Sequence, residues 1–359
     1  MSDMLIETTE RLFGSLCRPD ALRAAEQSGW APQMWAEVAG LGLPWIGLPE
    51  DLGGQGGTLL DALAVLRVAG AHSLPLPLAE TGLAGWLLTA AGVEVPSEPL
   101  TVVPGRPDDT LRLSGGRLYG TAHRVPWARA AGSIVTLLPS EPPASQEPPP
   151  GNAWSVMAVQ GDAATVTPMT NLAGEPRDTV AFEGVTPQIL VPSAIAGEAL
   201  LYRGALTRAV LMAGALQRVC ELTVGYTRER EQFGRPLARF QAVQHHIVTV
   251  VQETAAVGVA ATAAARRAQH GDARVEIAAA KLLANLSVHS AVRSAHQAHG
   301  AMGVTQEYPL HHATRRLRAW RCEYGDEREW STHLGRTAEN VGADDLYPLI
   351  TAGSALLAR

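Results

Sequence analysis

The sequence predicts an α+β chain built as helices, a block of short strands, and a second, longer set of helices. Three observations predict this order. Apolar residues recur at helix-face spacing from Ile6 to about Ala91. From about Val93 to Pro192 the texture changes to short alternating runs separated by Gly and Pro. From about Ser193 onward helical spacing returns over long stretches. The expected domains are an N-terminal helical domain at 1–92, a middle β domain at 93–192 and a C-terminal helical bundle at 193–359.

The first part justifies its helices by Leu22, Ala25 and Trp30, then Trp35, Val38 and Leu41, and then the Leu59 to Val68 run. The Gly/Pro-rich segment Leu41 to Gly57 between them reads as a sharply bent turn. Pro75-Leu76-Pro77 leads into a short helix, Leu83 to Ala91. In the middle part, Leu111 to Gly120 alternates around Gly115-Gly116, the pattern of a hairpin. Ser133–Leu138, Trp154–Val159 and Thr179–Phe182 read as further strands, and the Pro/Glu/Ser-rich Pro139 to Pro150 reads as an exposed loop. The last part predicts four long helices, Leu200 to Arg230, Leu237 to His270, Arg274 to His299 and Pro309 to Asn340. Alanines at 260–265 permit close approach of helices there.

A chain of 359 residues has room for two or three domains, and 46% hydrophobic with 18% charged residues argues for a globular chain. A net charge of −6 gives no reason to expect nucleic acid or anionic membrane as a partner. The start, Met1-Ser2-Asp3-Met4 with Glu7 and Glu10, lacks the pattern of a signal peptide, and charges or prolines break the apolar runs. A cytoplasmic location and no membrane insertion are therefore expected. Cys17, Cys220 and Cys322 are far apart and read as core thiols of a reducing compartment. The pairs His245-His246 and His311-His312 do not share a helix face, so no metal is expected. The basic run Arg315 to Arg318 reads as a solvated helix face. No Gly-x-Gly-x-x-Gly turn follows a strand and no Gly-x-Ser-x-Gly elbow occurs, which argues against a nicotinamide site and a hydrolase triad.

The richest stretch is Tyr226-Thr227-Arg228-Glu229-Arg230-Glu231-Gln232-Phe233-Gly234-Arg235-Pro236-Leu237, continued by Phe240-Gln241. It reads as a helix end, a Gly-Arg-Pro break and a second helix start. Arg230 offers a planar fork of donors suited to a diphosphate, and Phe233 a flat apolar face. Charged helix ends beside a break are equally common as plain solvated surface.

The wording of this stretch, Arg-x-Gln-Phe-Gly followed by Phe-Gln, resembles the C-terminal domain of the acyl-CoA dehydrogenase family. The resemblance runs along most of the chain. Leu41 to Gly57 is similar to the family's Gly-Leu … Pro-Glu-x-x-Gly-Gly-x-Gly turn. Asn171 to Asp178 stands before a strand, as in many members, and Gln297 to Thr305 is similar to the Gln-x-x-Gly-Gly-x-Gly segment. The resemblance implies the family fold, with a four-helix bundle at its C-terminal end. It also implies an FAD cofactor, an acyl-CoA substrate in fatty acid metabolism, and loss of two hydrogens across Cα–Cβ. A carboxylate then takes the α proton while FAD takes a hydride, later passed to an electron-accepting flavoprotein. By the same resemblance Arg230, Phe233, Gln297 and Gly300 would contact the FAD of a neighbouring subunit, in a homo-oligomer or a heteromer. His299 reads as a packed or hydrogen-bonded histidine rather than a catalyst.

The departures concern the base. Family members carry the catalytic glutamate in a Glu-Gly-Thr turn. The corresponding segment here is Arg321-Cys322-Glu323-Tyr324-Gly325-Asp326-Glu327. Aligned on Gly325, Tyr324 stands where the base belongs and Asp326 where the threonine belongs. Glu323 is the nearest candidate for the catalytic residue and Asp326 the next, although Asp326 also reads as a helix cap ahead of Glu327 and Glu329. The family's alternative position falls near Gly204, with Glu198 more than a turn away. The flavin-flanking segments of the β domain are also missing, and Val125-Pro126-Trp127-Ala128 is the nearest substitute. Two readings follow: an FAD-dependent acyl-CoA dehydrogenase with a non-standard or missing base, or a non-catalytic partner subunit that completes the FAD site of a paralogous subunit. A flavin oxidase on the same fold is a third.

Overall fold

The computed structural model describes residues 3–140 and 154–357. The expected order of helices, strands and helices is present. Five helices come first: α1 (Asp3–Leu16), α2 (Pro19–Ser28), α3 (Pro32–Gly40), α4 (Leu59–His72) and α5 (Leu78–Ala90). Pro19 and Pro32 stand at the first helical positions, where a missing N–H has no cost. The segment between α3 and α4 folds back on itself through Gly47 N–H to the Gly56 carbonyl (2.7 Å) and Gly56 N–H to the Leu48 carbonyl (2.9 Å). Gly54 lies against this turn so tightly that a Cβ there would stand 2.2 Å from the Leu48 oxygen.

Among the described residues, the middle part holds two four-stranded sheets. Its strands are β1 (Leu100–Val102), β2 (Arg112–Ser114), β3 (Arg117–Pro126), β4 (Ser133–Pro139), β5 (Trp154–Gln160), β6 (Thr165–Thr167), β7 (Arg177–Val185) and β8 (Ile189–Ser193). One sheet has the order β1-β4-β5-β8, with β1 parallel to β4, and the other has the order β2-β3-β7-β6. The hairpin expected around Gly115-Gly116 is β2–β3, and both glycines have positive φ, 58° and 71°, as a two-residue hairpin turn requires. Leu118, Val125, Ile134, Met157, Val180 and Phe182 form the core of this part. The loop expected at Pro139 to Pro150 lies outside the described residues apart from Pro139, which ends β4, and Ser140.

The last part contains α6 (Gly197–Glu229), α7 (Gln241–His270), α8 (Arg274–His299), α9 (Leu310–Trp320), α10 (Glu327–Val341), α11 (Leu346–Ala352) and α12 (Ser354–Leu357). The first three expected helices are present. The fourth, Pro309 to Asn340, is two helices, because Tyr324 and Gly325 both take positive φ (52° and 94°) and no helix passes through such residues.

The chain forms two compact units: Met1–Arg23 with Leu63–Leu74 and Ala205–Arg359, and Ala24–Ala62 with Pro75–Gly204. The N-terminal helices are thus shared between the units. In the first unit, α4 and α6 cross backbone to backbone at Gly70 and Gly214, where added Cβ atoms would lie 2.1 and 1.9 Å from the carbonyl oxygens of Leu211 and Arg67. The expectation that charges or prolines interrupt every long apolar run does not hold. Among the described residues, three helical stretches, Gly197–Glu229, Gln241–His270 and Arg274–Val304, are long and apolar enough to cross a membrane by length and composition. Alanine supplies that apolarity and lets α7 and α8 lie along each other. The core-thiol reading needs correction as well: Cys322 is exposed, and Cys17 and Cys220 are half-buried. Burial pushes the Cys17 thiol up to about 12.

Candidate functional site

The helix α6 does not break directly into α7. After Glu229 the chain makes a small antiparallel hairpin, Glu231–Gln232 against Arg235–Pro236. Its turn residues Phe233 and Gly234 both have positive φ, 53° and 76°. That pair of signs defines the hairpin turn whose twist matches its strands. Gly234 therefore serves the hairpin and does not end the helix. Arg230 closes the hairpin base: its N–H donates to the Tyr226 carbonyl at 2.8 Å, and its carbonyl accepts from Leu237 N–H at 2.9 Å. The Arg230 side chain is exposed and has no ion pair among the described residues. Phe233 is 91% exposed, with the Phe240 ring near-perpendicular to it at 6.1 Å. A large aromatic held in left-handed backbone and left in solvent is unfavourable twice over.

Gln297 and Gly300 end α8. Gln297 is exposed. Gly300 takes φ 60°, ψ −139°, a backbone region essentially restricted to glycine, and nothing lies within 4 Å of where its Cβ would be. Between them, His299 is buried, and its Nδ1–H donates to the Ala295 carbonyl at 2.7 Å. Its imidazole stacks on Tyr226 of α6 with centroids 4.6 Å apart, and Tyr308 packs against both rings at 5.0 and 5.4 Å. The Tyr308 hydroxyl donates to the Leu222 carbonyl at 3.2 Å. Burial pushes the His299 and His296 imidazoles down and the Tyr308 phenol up. This aromatic trio brings the ends of α6 and α8 together. Arg230 and Phe233 follow the end of α6, and Gln297 and Gly300 close α8, so the two ends joined by this trio carry an exposed cation, an open aromatic face and bare backbone.

The turn between α9 and α10 is a separate feature. Glu323 accepts from Nε of Arg208 on α6 at 2.6 Å, and the Arg208 side chain is buried. The same guanidinium lies 5.5 Å from the centroid of the Tyr324 ring. Tyr324 is buried, and its carbonyl accepts the Trp330 indole N–H at 3.0 Å. Asp326 is the N-cap of α10 in a reciprocal capping box with Glu329, each side chain accepting the other's backbone N–H at 2.9 Å. The ammonium of Lys281, fully buried on α8, reaches Asn285 Oδ1 at 2.6 Å and the carbonyls of Trp320, Arg321 and Gly325 at 3.4, 3.0 and 3.0 Å. Glu323 and Asp326 therefore stand on one turn, each already engaged. The turn packs on the N-terminal half of α8, at Lys281 and Asn285, and Gln297 and Gly300 lie at its C-terminal end.

Trp127 is buried in the middle part with φ 55°, and Val125 and Ala128 belong to its core. The basic run of α9 is not a solvated face: Arg316 is fully buried with Nη1 donating to the His312 carbonyl at 3.1 Å, and Arg318 is exposed. The sequence reading missed Arg208, Lys281, Asn285, Tyr226 and Tyr308. Lys281 carries a visible signal. It interrupts the apolar run Ile277 to Leu283, with Asn285 one helical turn on.

Two family models match the chain: "Acyl-CoA dehydrogenase, C-terminal domain" over residues 194–328 and "Acyl-CoA dehydrogenase, N-terminal domain" over residues 2–95. Among curated relatives, acyl-CoA dehydrogenase IpdE2 of Mycobacterium tuberculosis is 29% identical over 315 residues, covering 86% of this chain and 88% of its own. Among solved structures, the Tcur3481–Tcur3483 steroid ACAD superposes with a TM-score of 0.83 at 26% identity, over 95% of this chain and 98% of that one. The ChsE4–ChsE5 complex of Mycobacterium tuberculosis gives a TM-score of 0.83 at 22% identity, over 96% of this chain and 99% of that one.

Proposed function

We propose that this chain, which belongs to the acyl-CoA dehydrogenase family, acts as the partner subunit that completes the FAD site of a paralogous, base-bearing subunit. The cofactor of the family is FAD, and its reaction is oxidoreduction at a CH–CH group. One observation carries the partner reading. At the turn where the family's base belongs, Glu323 is held by buried Arg208, Asp326 is spent on a helix cap, and Tyr324 stands between them. Proton abstraction α to a thioester needs a carboxylate whose lone pair is available to substrate. A phenol, with an ordinary pKa of ~10, is mostly protonated at neutral pH and cannot replace it.

The corner of Arg230, Phe233, Gln297 and Gly300 fits FAD presented from outside the chain. The fit rests on the exposed ring of Phe233 in strained backbone and on the open backbone at Gly300. Arg230 would pair with the diphosphate, Phe233 would cover an aromatic face, Gln297 would hydrogen-bond, and Gly300 would let phosphate oxygens approach the main chain. FAD, when bound, accepts the hydride that leaves the β carbon, which no side chain can do. The relative at 26% identity is described as a pair of proteins, which supports a heteromer for this chain too. The same name makes steroid-derived acyl-CoA thioesters the first substrates to test.

The test is to purify the chain alone and together with a co-produced paralogue. The partner reading expects acyl-CoA to reduce flavin only in the mixed assembly. The second reading, an autonomous dehydrogenase using Glu323, is favoured by the position of Glu323 one residue from the family's base. It expects reduction by the chain alone, and loss of that reduction in Glu323→Gln.

A further inference from the structure

We infer that Lys281 is a positioning residue: with Asn285 it locks the turn from Trp320 to Asp326 and so fixes Tyr324 and Glu323 in place. The last carbonyls of a helix have no partners within the helix and carry its negative dipole end. At the end of α9 two of these groups, the Trp320 and Arg321 carbonyls, converge on the Lys281 ammonium, at 3.4 and 3.0 Å. The Gly325 carbonyl, on the far side of the turn, comes back to the same ammonium at 3.0 Å and to Asn285 Nδ2 at 3.2 Å. Asn285 Oδ1 completes the shell at 2.6 Å. One fully buried cation thus ties both limbs of the turn to α8. The residue between the limbs, Tyr324, holds a left-handed φ of 52°, a conformation that persists only where its surroundings impose it.

Charge makes the lock sensitive to pH. Burial pushes the Lys281 ammonium down to about 7. Glu323 and Cys322 of the turn and Glu327 of α10 oppose that shift, and Arg208 of α6 adds to it. An ammonium has three N–H donors for four facing oxygens, whereas a neutral amine has two and no charge. Loss of the proton therefore loosens the turn before it loosens the bundle. Lys281 would hold the turn equally in a catalytic and in a partner subunit, so its test is separate from that of the partner reading.

The test is amide hydrogen exchange on the full chain in its native assembly. In Lys281→Met, peptides covering 320–326 should exchange about tenfold faster or more, with peptides from α7 and from the 288–295 stretch of α8 unchanged. Unchanged exchange in the turn, or equal acceleration throughout the bundle, would overturn the assignment. If that variant does not fold, the wild type decides. Its turn peptides, after correction for intrinsic exchange, should open progressively as pH rises through about 7, while the α8 control peptides stay level. A flat wild-type profile would overturn it as well.

Discussion

The Tyr226 ring lies on the His299 imidazole with centroids 4.6 Å apart and planes inclined by 19°. This stack is the joint between the ends of α6 and α8, and those ends carry all four residues assigned to the cofactor corner. Neither ring is itself assigned to touch FAD. Their role is to hold the corner together from inside.

Replacing His299 with alanine should therefore weaken FAD binding without removing any cofactor contact. Stacked aromatic pairs contribute ~0.5–1.5 kcal/mol beyond area burial, so a loss of up to about tenfold in FAD affinity is expected. Fluorescence titration of the apo assembly with FAD measures it. Affinity equal to wild type would show that the joint does not support the corner.

The same histidine sets a pH dependence. Burial lowers the folded-state pKa of both His299 and His296 below the ordinary imidazole value of about 6.5. Between the folded and unfolded values the unfolded chain binds more protons, so stability falls as pH drops below about 6.5 and is regained above it. Denaturant midpoints across that range should show this slope, and His299→Phe should flatten it. An unchanged slope in the variant would assign the effect elsewhere.

Phe233 should separate stability from binding. Asparagine tolerates left-handed backbone better than phenylalanine, and the ring makes little contact within the chain. Phe233→Asn is expected to leave stability unchanged or raise it by ~1 kcal/mol while FAD affinity drops. A destabilised variant with full affinity would contradict the assignment of that ring to the cofactor.

Arg208 is buried and Glu323 partly exposed, so the two should behave as a largely buried pair, with costs toward the lower end of that class. Removing one member of such a pair typically costs ~3–5 kcal/mol, whereas replacing both with apolar residues of similar volume is often close to neutral. Glu323→Leu should thus be markedly less stable than the Arg208→Leu/Glu323→Leu double variant in urea denaturation. Additive losses in the double variant would mean that the pair does not organise the turn.

Much of the fold was legible because period and punctuation agree with tertiary packing. The Gly115-Gly116 hairpin, strands β4, β5 and β7 and helices α6 to α8 follow from local pattern alone, whereas the short β1, β6 and β8 carry too few residues to show a period. The Asp326 cap and Gly325 hinted at a break within Pro309 to Asn340, but the left-handed backbone of Tyr324 was not legible, since a tyrosine gives no local signal for it and the carbonyls on either side are held by Lys281, more than forty residues earlier. The hairpin at Phe233-Gly234 was hidden for a related reason: Gly-Arg-Pro reads equally well as a helix stop. Arg230, Phe233, Gln297 and Gly300 could be named from motif wording, but what joins them is an aromatic contact across two helices. Arg316 misled because a basic run looks solvated in one dimension, and only packing decides which of its members is buried.

The diphosphate contact is tested by Arg230→Ala. A largely desolvated guanidinium paired with an anion typically costs ~2–5 kcal/mol when one partner is truncated, which corresponds to about one and a half to three and a half decades in FAD affinity. Flavin retained as tightly as in wild type would remove Arg230 from the site.

The most direct test of the central claim is anaerobic single-turnover reduction of flavin by acyl-CoA thioesters, short, long, branched and steroid-derived. It should be run on the purified chain alone and on its assembly with a co-produced paralogue. The partner-subunit account predicts no bleaching of the flavin band with the chain alone under any of these substrates, and rapid bleaching in the mixed assembly that survives Glu323→Gln in this chain. Stoichiometric flavin in the chain alone, reduced by an acyl-CoA and slowed at least ~100-fold by Glu323→Gln, would contradict it.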